Sequence, residues 1–164
     1  MAGCARAEEP RRQPRTSEVR PLVQQLLDTQ EIQELLAEYM RLLETRDWVP
    51  YAQLFATNGE LHFNEYHLVG SHVIRDTMLK IAPTDPKRPA PSAADLLTNV
   101  SVNVKGDVAT STSRWTGITL GPDNRPMVTR AGHYEDTFVR ESDRWRFQKR
   151  VVHVDVTPAV PAAR

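Results

Sequence analysis

Three compact turns constrain this chain more than any other feature. Lys105-Gly106-Asp107, Gly121-Pro122-Asp123-Asn124 and Ser142-Asp143 separate four strand-like runs, Leu96–Val104, Val108–Leu120, Met127–Arg140 and Arg144–Val156. Connections this short leave no room for a crossover, so the runs pair as an antiparallel meander. Such a sheet needs an apolar cover for one face, and the upstream half supplies it.

From Asp28 to Phe63 the chain reads as helix, break, short helix and strand. Asp28 caps the first helix, with Glu31 three places on in a capping-box pattern. Ile32, Leu35, Leu36, Tyr39 and Leu43 recur at helical spacing and give one apolar face. The Leu22-Val23-Leu26-Leu27 cluster forms a short leading helix. After the Asp47-Trp48 break, Pro50 opens a helix burying Tyr51, Leu54 and Phe55. Asn58-Gly59 reads as a turn, Glu60 to Phe63 as a strand, and His67 falls in the loop beyond. Ser71 caps a third helix with Ile74, Met78 and Ile81 on its buried face. Helices first and a twisted sheet afterwards make an α+β domain, the helices on one face of the sheet.

The ends are different. Residues 1–18 are charged and nearly free of large apolar side chains, and read as a disordered arm. Residues 157–164 form a Pro/Ala tail, which leaves one folded domain over 19–156. A chain of 164 residues buries roughly 70% of its unfolded surface, enough for a core of its own. Twenty-one basic residues balance 21 acidic ones, so no global field draws in nucleic acid or an anionic membrane. The lone Cys4 offers no internal disulfide, no apolar run is long enough to span a bilayer, and no export signal is legible. The cytoplasm is the expected location.

The segments EYMRLLETRDWVPYAQLFATNGELHF, LVGSHVIRDTM, LLTNVSVNVKGDVATSTSRW and GHYEDTFVRESDRWRFQKRV resemble the SnoaL-like branch of the nuclear-transport-factor-2-like superfamily. The resemblance runs from about Leu22 to Val156. It implies a curved antiparallel sheet wrapped by about three helices into a cone with an internal apolar pocket, the Pro-rich 83–94 loop near its mouth, and a homodimer. Tyr39 falls where ketosteroid isomerases keep the tyrosine that bonds the developing enolate. Phe63 and Gly132 stand where those enzymes keep carboxylates, so that pair of acids is missing. Glu44 aligns with an aspartate of scytalone dehydratase, but that enzyme's two histidines fall near Leu96 and Ile118. Limonene epoxide hydrolase's Asp-Arg-Asp set has no matching spacing.

These positions give the candidate site. Tyr39 is either a general acid or oxyanion donor, or a core tyrosine whose hydroxyl finds any partner. Glu44 is either a base or the ion-pair partner of Arg150. His62 and Phe63 alternate on one strand, so only one faces inward; if that is His62, it is the proton shuttle. By the resemblance Tyr134 faces the pocket, and Phe63, Trp115, Tyr134 and Arg150 contact substrate. No histidine pair shows the i, i+4 or H-x-H spacing that favours a metal, so no metal is expected. No Gly-rich phosphate loop and no Gly-x-Ser-x-Gly element occur, so no cofactor and no covalent nucleophile are expected. The expectation is a cofactor-free isomerase, dehydratase or cyclase acting on a hydrophobic oxygenated small molecule. The alternative is a binding or accessory protein of the same fold, and structural assembly through the outer sheet face is a third reading.

Overall fold

A computed structural model describes residues 16–83, 93–121 and 123–157. Helix α1 (Thr16–Thr45) and the short α2 (Trp48–Gln53) are followed by strands β1 (Phe55–Phe63) and β2 (Tyr66–Val69) and helix α3 (Ser71–Ile81). Strands β3 (Ala93–Lys105), β4 (Val108–Leu120), β5 (Pro126–Glu141) and β6 (Arg144–Val156) complete the chain. They form one curved, unclosed sheet in the order β2-β1-β6-β5-β4-β3. The meander from β3 to β6 is antiparallel throughout, as the turns require, whereas β1 joins β6 in parallel. Register shifts on β1, β3, β4, β5 and β6 add local twist and bend the sheet. No described helix is long and apolar enough to cross a membrane.

Burial explains why α1 lies where it does. Ile32, Leu36, Tyr39, Met40 and Leu42 are buried against the sheet, with Leu35 and Leu43 packed at the margin. Each fully covered aliphatic side chain contributes about 1.5–3 kcal/mol relative to exposure. Trp48 fastens α2 to α3 by donating its indole N–H to the Ala82 carbonyl at 2.6 Å.

Several local expectations are corrected. Asp28 is not a cap: α1 runs straight through it, absorbing the leading cluster, whose Leu22, Val23, Leu26 and Leu27 are exposed. Asp28 is buried instead, taking hydrogen bonds from Gln24, Arg140 and the Trp145 indole, and so ties α1 to β5 and β6. Asn58-Gly59 is not a turn but an interruption within β1. A Cβ on Gly59 would stand 2.7 Å from the Phe147 carbonyl oxygen, so glycine is what lets β1 approach β6. The turn lies at residues 64–65, where Asn64 has a positive φ, and His67 lies on the returning strand β2 rather than in a loop. Ser71 makes no side-chain cap; Gly70 holds that position, and Ile81 is exposed. The arm expected over 1–18 overlaps α1, whose backbone is helical from Thr16. Residues 1–15, 158–164 and most of the Pro-rich loop lie outside the described residues.

Candidate functional site

Strand alternation sends Ser111, Ser113 and Trp115 of β4, Tyr134 and Asp136 of β5 and Arg150 of β6 to the helix-covered face. Arg150 is fully buried and forms a two-pronged ion pair with Asp136, at 2.7 Å from Nε and 2.8 Å from Nη2. Ser111 donates a further bond to Asp136 at 2.9 Å. The guanidinium carbon lies 3.9 Å from the Tyr39 ring centre, 4.1 Å from Tyr134 and 4.4 Å from Phe147. Burial disfavours the Arg150 charge, but Asp136, helped by the Tyr39 and Tyr134 phenols, outweighs it, and its pKa is raised. The Tyr51 hydroxyl donates to the Tyr39 oxygen at 3.0 Å. Burial also pushes the Tyr51 and Tyr134 phenols up, so both stay protonated hydrogen-bond donors. Among the described residues, Ser113 Oγ, Trp115 Nε1 and Arg150 Nη1 are buried without a hydrogen-bond partner, and all three belong to residues around Tyr134. Buried donors left unpaired mark places where a ligand's oxygen is welcome.

A cavity of about 310 Å³ adjoins this cluster, lined by Asp95, Gly117, Ile118, Thr119, Thr129 and Arg130. Gly117 makes the room. Asp95 and Arg130 flank it in register on β3 and β5, and a Cβ there would stand 3.0 Å from the Asp95 carboxylate and 3.1 Å from the Arg130 stem. The Arg130 guanidinium lies over the Trp115 ring at 5.5 Å, and Trp115 packs 6.1 Å from Tyr134, which joins cavity to cluster. Burial raises the Asp95 pKa; Arg130 opposes the rise and nearby Glu44 adds to it. The cavity thus holds a carboxyl group that keeps its proton to higher pH, beside a cation.

The structure separates the residues singled out from sequence. Tyr39, Trp115, Tyr134 and Arg150 meet in the interior. Glu44 does not pair with Arg150, because Asp136 sits directly across from it on the adjoining strand. Glu44 is exposed and accepts the Asp95 backbone N–H at 3.4 Å, which sets it beside the cavity. Phe63 is the inward member of its pair, packed against the core and stacked on Tyr66 at 4.9 Å. His62 therefore points to the opposite face of the sheet, away from Tyr39, and cannot shuttle protons to it. Sequence reasoning missed Asp136 and Asp95; it also missed that the 64–65 turn sets His62 directly opposite His67. Spacing along the chain disfavours a metal, but the β1–β2 hairpin supplies adjacency of another kind.

Element order and curved sheet now have a match. Residues 24–151 fit the family profile described as the SnoaL-like domain. The chain belongs to the SnoaL-like family. Within its wider fold, an NTF2-like protein with a cystatin-like fold from Novosphingobium aromaticivorans superposes with a TM-score of 0.72. It is 21% identical, over 86% of this chain and 90% of that one. ActVI-ORFA from Streptomyces coelicolor superposes with a TM-score of 0.66 at 20% identity, over 77% and 96%. Likeness at these identities speaks to fold alone. The uncharacterized protein Rv2910c of Mycobacterium tuberculosis is 29% identical over 130 residues, 79% of this chain and 86% of its own. The SnoaL-like fold serves dehydratases and polyketide cyclases, so membership leaves the reaction to be argued from the site.

Proposed function

We propose that this SnoaL-like chain is a cofactor-free acid–base enzyme of the isomerase, dehydratase or cyclase type. Its substrate is a hydrophobic, oxygenated small molecule. The single observation that carries the reading is Asp95, a carboxyl group with a raised pKa facing a cavity of about 310 Å³ beside Arg130. A group of that kind donates a proton to a leaving or carbonyl oxygen and recovers it from carbon, typically contributing about 10² to 10⁴ in rate. Arg130 steadies negative charge on the substrate oxygen, and Ile118 and the Trp115 edge take its apolar body. Burial raises the Asp95 pKa against the pull of Arg130, and Glu44, one carboxylate further out, adds to the rise by like-charge repulsion. A substrate reaching past Trp115 meets the free donors of Ser113 and Arg150, with Tyr39 as part of the aromatic wall.

The test is a panel of aromatic β-hydroxy ketones, with water loss followed as conjugated-enone absorbance. Proton donation requires the Asp95 acid form, so the rate falls as pH rises through its raised pKa. Asp95→Asn should reduce turnover by about 10² or more while leaving the melting temperature unchanged. Full activity in that variant overturns the assignment. A second reading, a binding protein without chemistry, draws on the packing around Tyr39. Its hydroxyl is engaged by Tyr51, and Phe55, Tyr134 and Phe147 crowd its ring at centroid distances of 5.5 to 6.5 Å. Panel members that quench Trp115 fluorescence, yet are never turned over, favour this second reading.

A further inference from the structure

The face of the sheet turned away from Tyr39 carries a second constellation. Because Phe63 pairs with Tyr66 across the two-residue turn, His62 and His67 stand directly opposite each other, and Glu60 lies two residues back on the same face. The rings of His62 and His67 are 3.9 Å apart between centres. Both Nε2 atoms converge on one Glu60 oxygen, at 2.8 Å and 3.2 Å. The three prospective ligand atoms all lie within 4.8 Å of one another.

We propose that Glu60, His62 and His67 form a binding site for a borderline divalent cation, zinc being the best match. Two imidazoles and a carboxylate are the donor set this ion prefers, at about 2.0–2.2 Å from the metal. Modest rotations of His67, which is exposed on the edge strand, suffice to reach that distance. Each imidazole then carries its proton on Nδ1 and presents the Nε2 lone pair. Three protein ligands leave a fourth position to water.

Lys149 is the opposing feature. Its ammonium group is 4.0 Å from the same Glu60 oxygen and repels a cation, so it tunes the site toward weaker binding. A further group on this face, His133, Glu135 and His153, is less suited. There the two histidines do not converge on one carboxylate: His153 Nε2 meets Glu135 at 3.3 Å, while His133 Nδ1 bonds Asp155 at 2.9 Å. Being on the reverse of the sheet from Asp95 and Arg150, the hairpin ion takes no part in proton transfer. It clamps β2 to β1 at the edge of the sheet.

Zinc chloride titrated into the untagged, chelator-treated full chain in a calorimeter tests this. Binding of one equivalent is expected, together with a rise in melting temperature. His62→Ala and His67→Ala should each weaken binding about tenfold or more, Lys149→Gln should tighten it, and His133→Ala should leave it alone. Absence of heat and of any melting shift in the wild-type chain overturns the site. So does a loss that follows His133→Ala rather than the hairpin variants. None of these readings depends on the Asp95 reaction, which is measured separately.

Discussion

Replacing Asp136 by Asn changes one charge at nearly constant shape, and its cost can be worked from the geometry. Both partners of the Asp136–Arg150 pair are fully buried, and two hydrogen bonds of 2.7 and 2.8 Å join them. Removing one member of such a pair costs about 3–5 kcal/mol, mostly because the survivor is left as an uncompensated charge. The Asn oxygen still accepts one Arg150 N–H, a bond to a charged donor worth about 1.5–3 kcal/mol. The rings of Tyr39, Tyr134 and Phe147 around the guanidinium are untouched. The expected net loss is about 2–4 kcal/mol, read as a shift in the urea midpoint at constant slope. In a domain of this size that lowers the melting temperature by about 4–16 °C. The double replacement Asp136→Leu with Arg150→Met removes both charges and should recover most of the loss, since apolar substitutes for a buried pair are often neutral or better. A loss below about 1 kcal/mol in Asp136→Asn, or no recovery in the double variant, refutes the view that the interior is built around this ion pair.

Two further outcomes follow from positions described above. Asp28 is buried, which by itself raises its pKa, but bonds from Gln24, Arg140 and Trp145 outweigh this and hold it below the usual carboxylate range. Its stabilisation is therefore complete above the unfolded-state value and lost as pH falls through the lowered native one. Asp28→Asn should cost about 1–3 kcal/mol at neutral pH and shrink the acid-side decline, as checked by urea melts across pH. Gly132→Ala would drive a Cβ to 1.9 Å from the His153 carbonyl oxygen and 2.8 Å from the Trp115 ring. A loss of about 3 kcal/mol or more is expected in a thermal melt, and an unchanged melting temperature would contradict the described β5–β6 approach.

Periodicity made the meander and the buried stripe of α1 readable because both repeat over many residues. What escaped depended on single offsets. Continued without interruption, the Ser142-Asp143 turn sets Lys149 opposite Asp136. The register shift beside Thr137 and Phe138 brings Arg150 there instead, so the ion pair is invisible until that shift is known. Glu44 looked like the partner of Arg150 because helical spacing cannot tell the edge of a stripe from its exposed flank. Asp95 was hidden by its neighbours, since it follows the Pro-rich loop and its environment comes from Gly117 on the next strand. Asp28 looked like a cap because its side chain suits one. Its actual partners, Arg140 and Trp145, lie more than a hundred residues downstream.

The parallel seam between β1 and β6 carries its own implication for how the molecule is made. Leu61 lies beside Arg150, so the β1–β2 hairpin finds its neighbour only in β6, some ninety positions along the described fold. A growing chain on the ribosome must keep that hairpin waiting, one edge bare, until β6 has been made. A chain cut short before β6 would lose the seam and the central guanidinium together, leaving the β1–β2 hairpin without its partner strand.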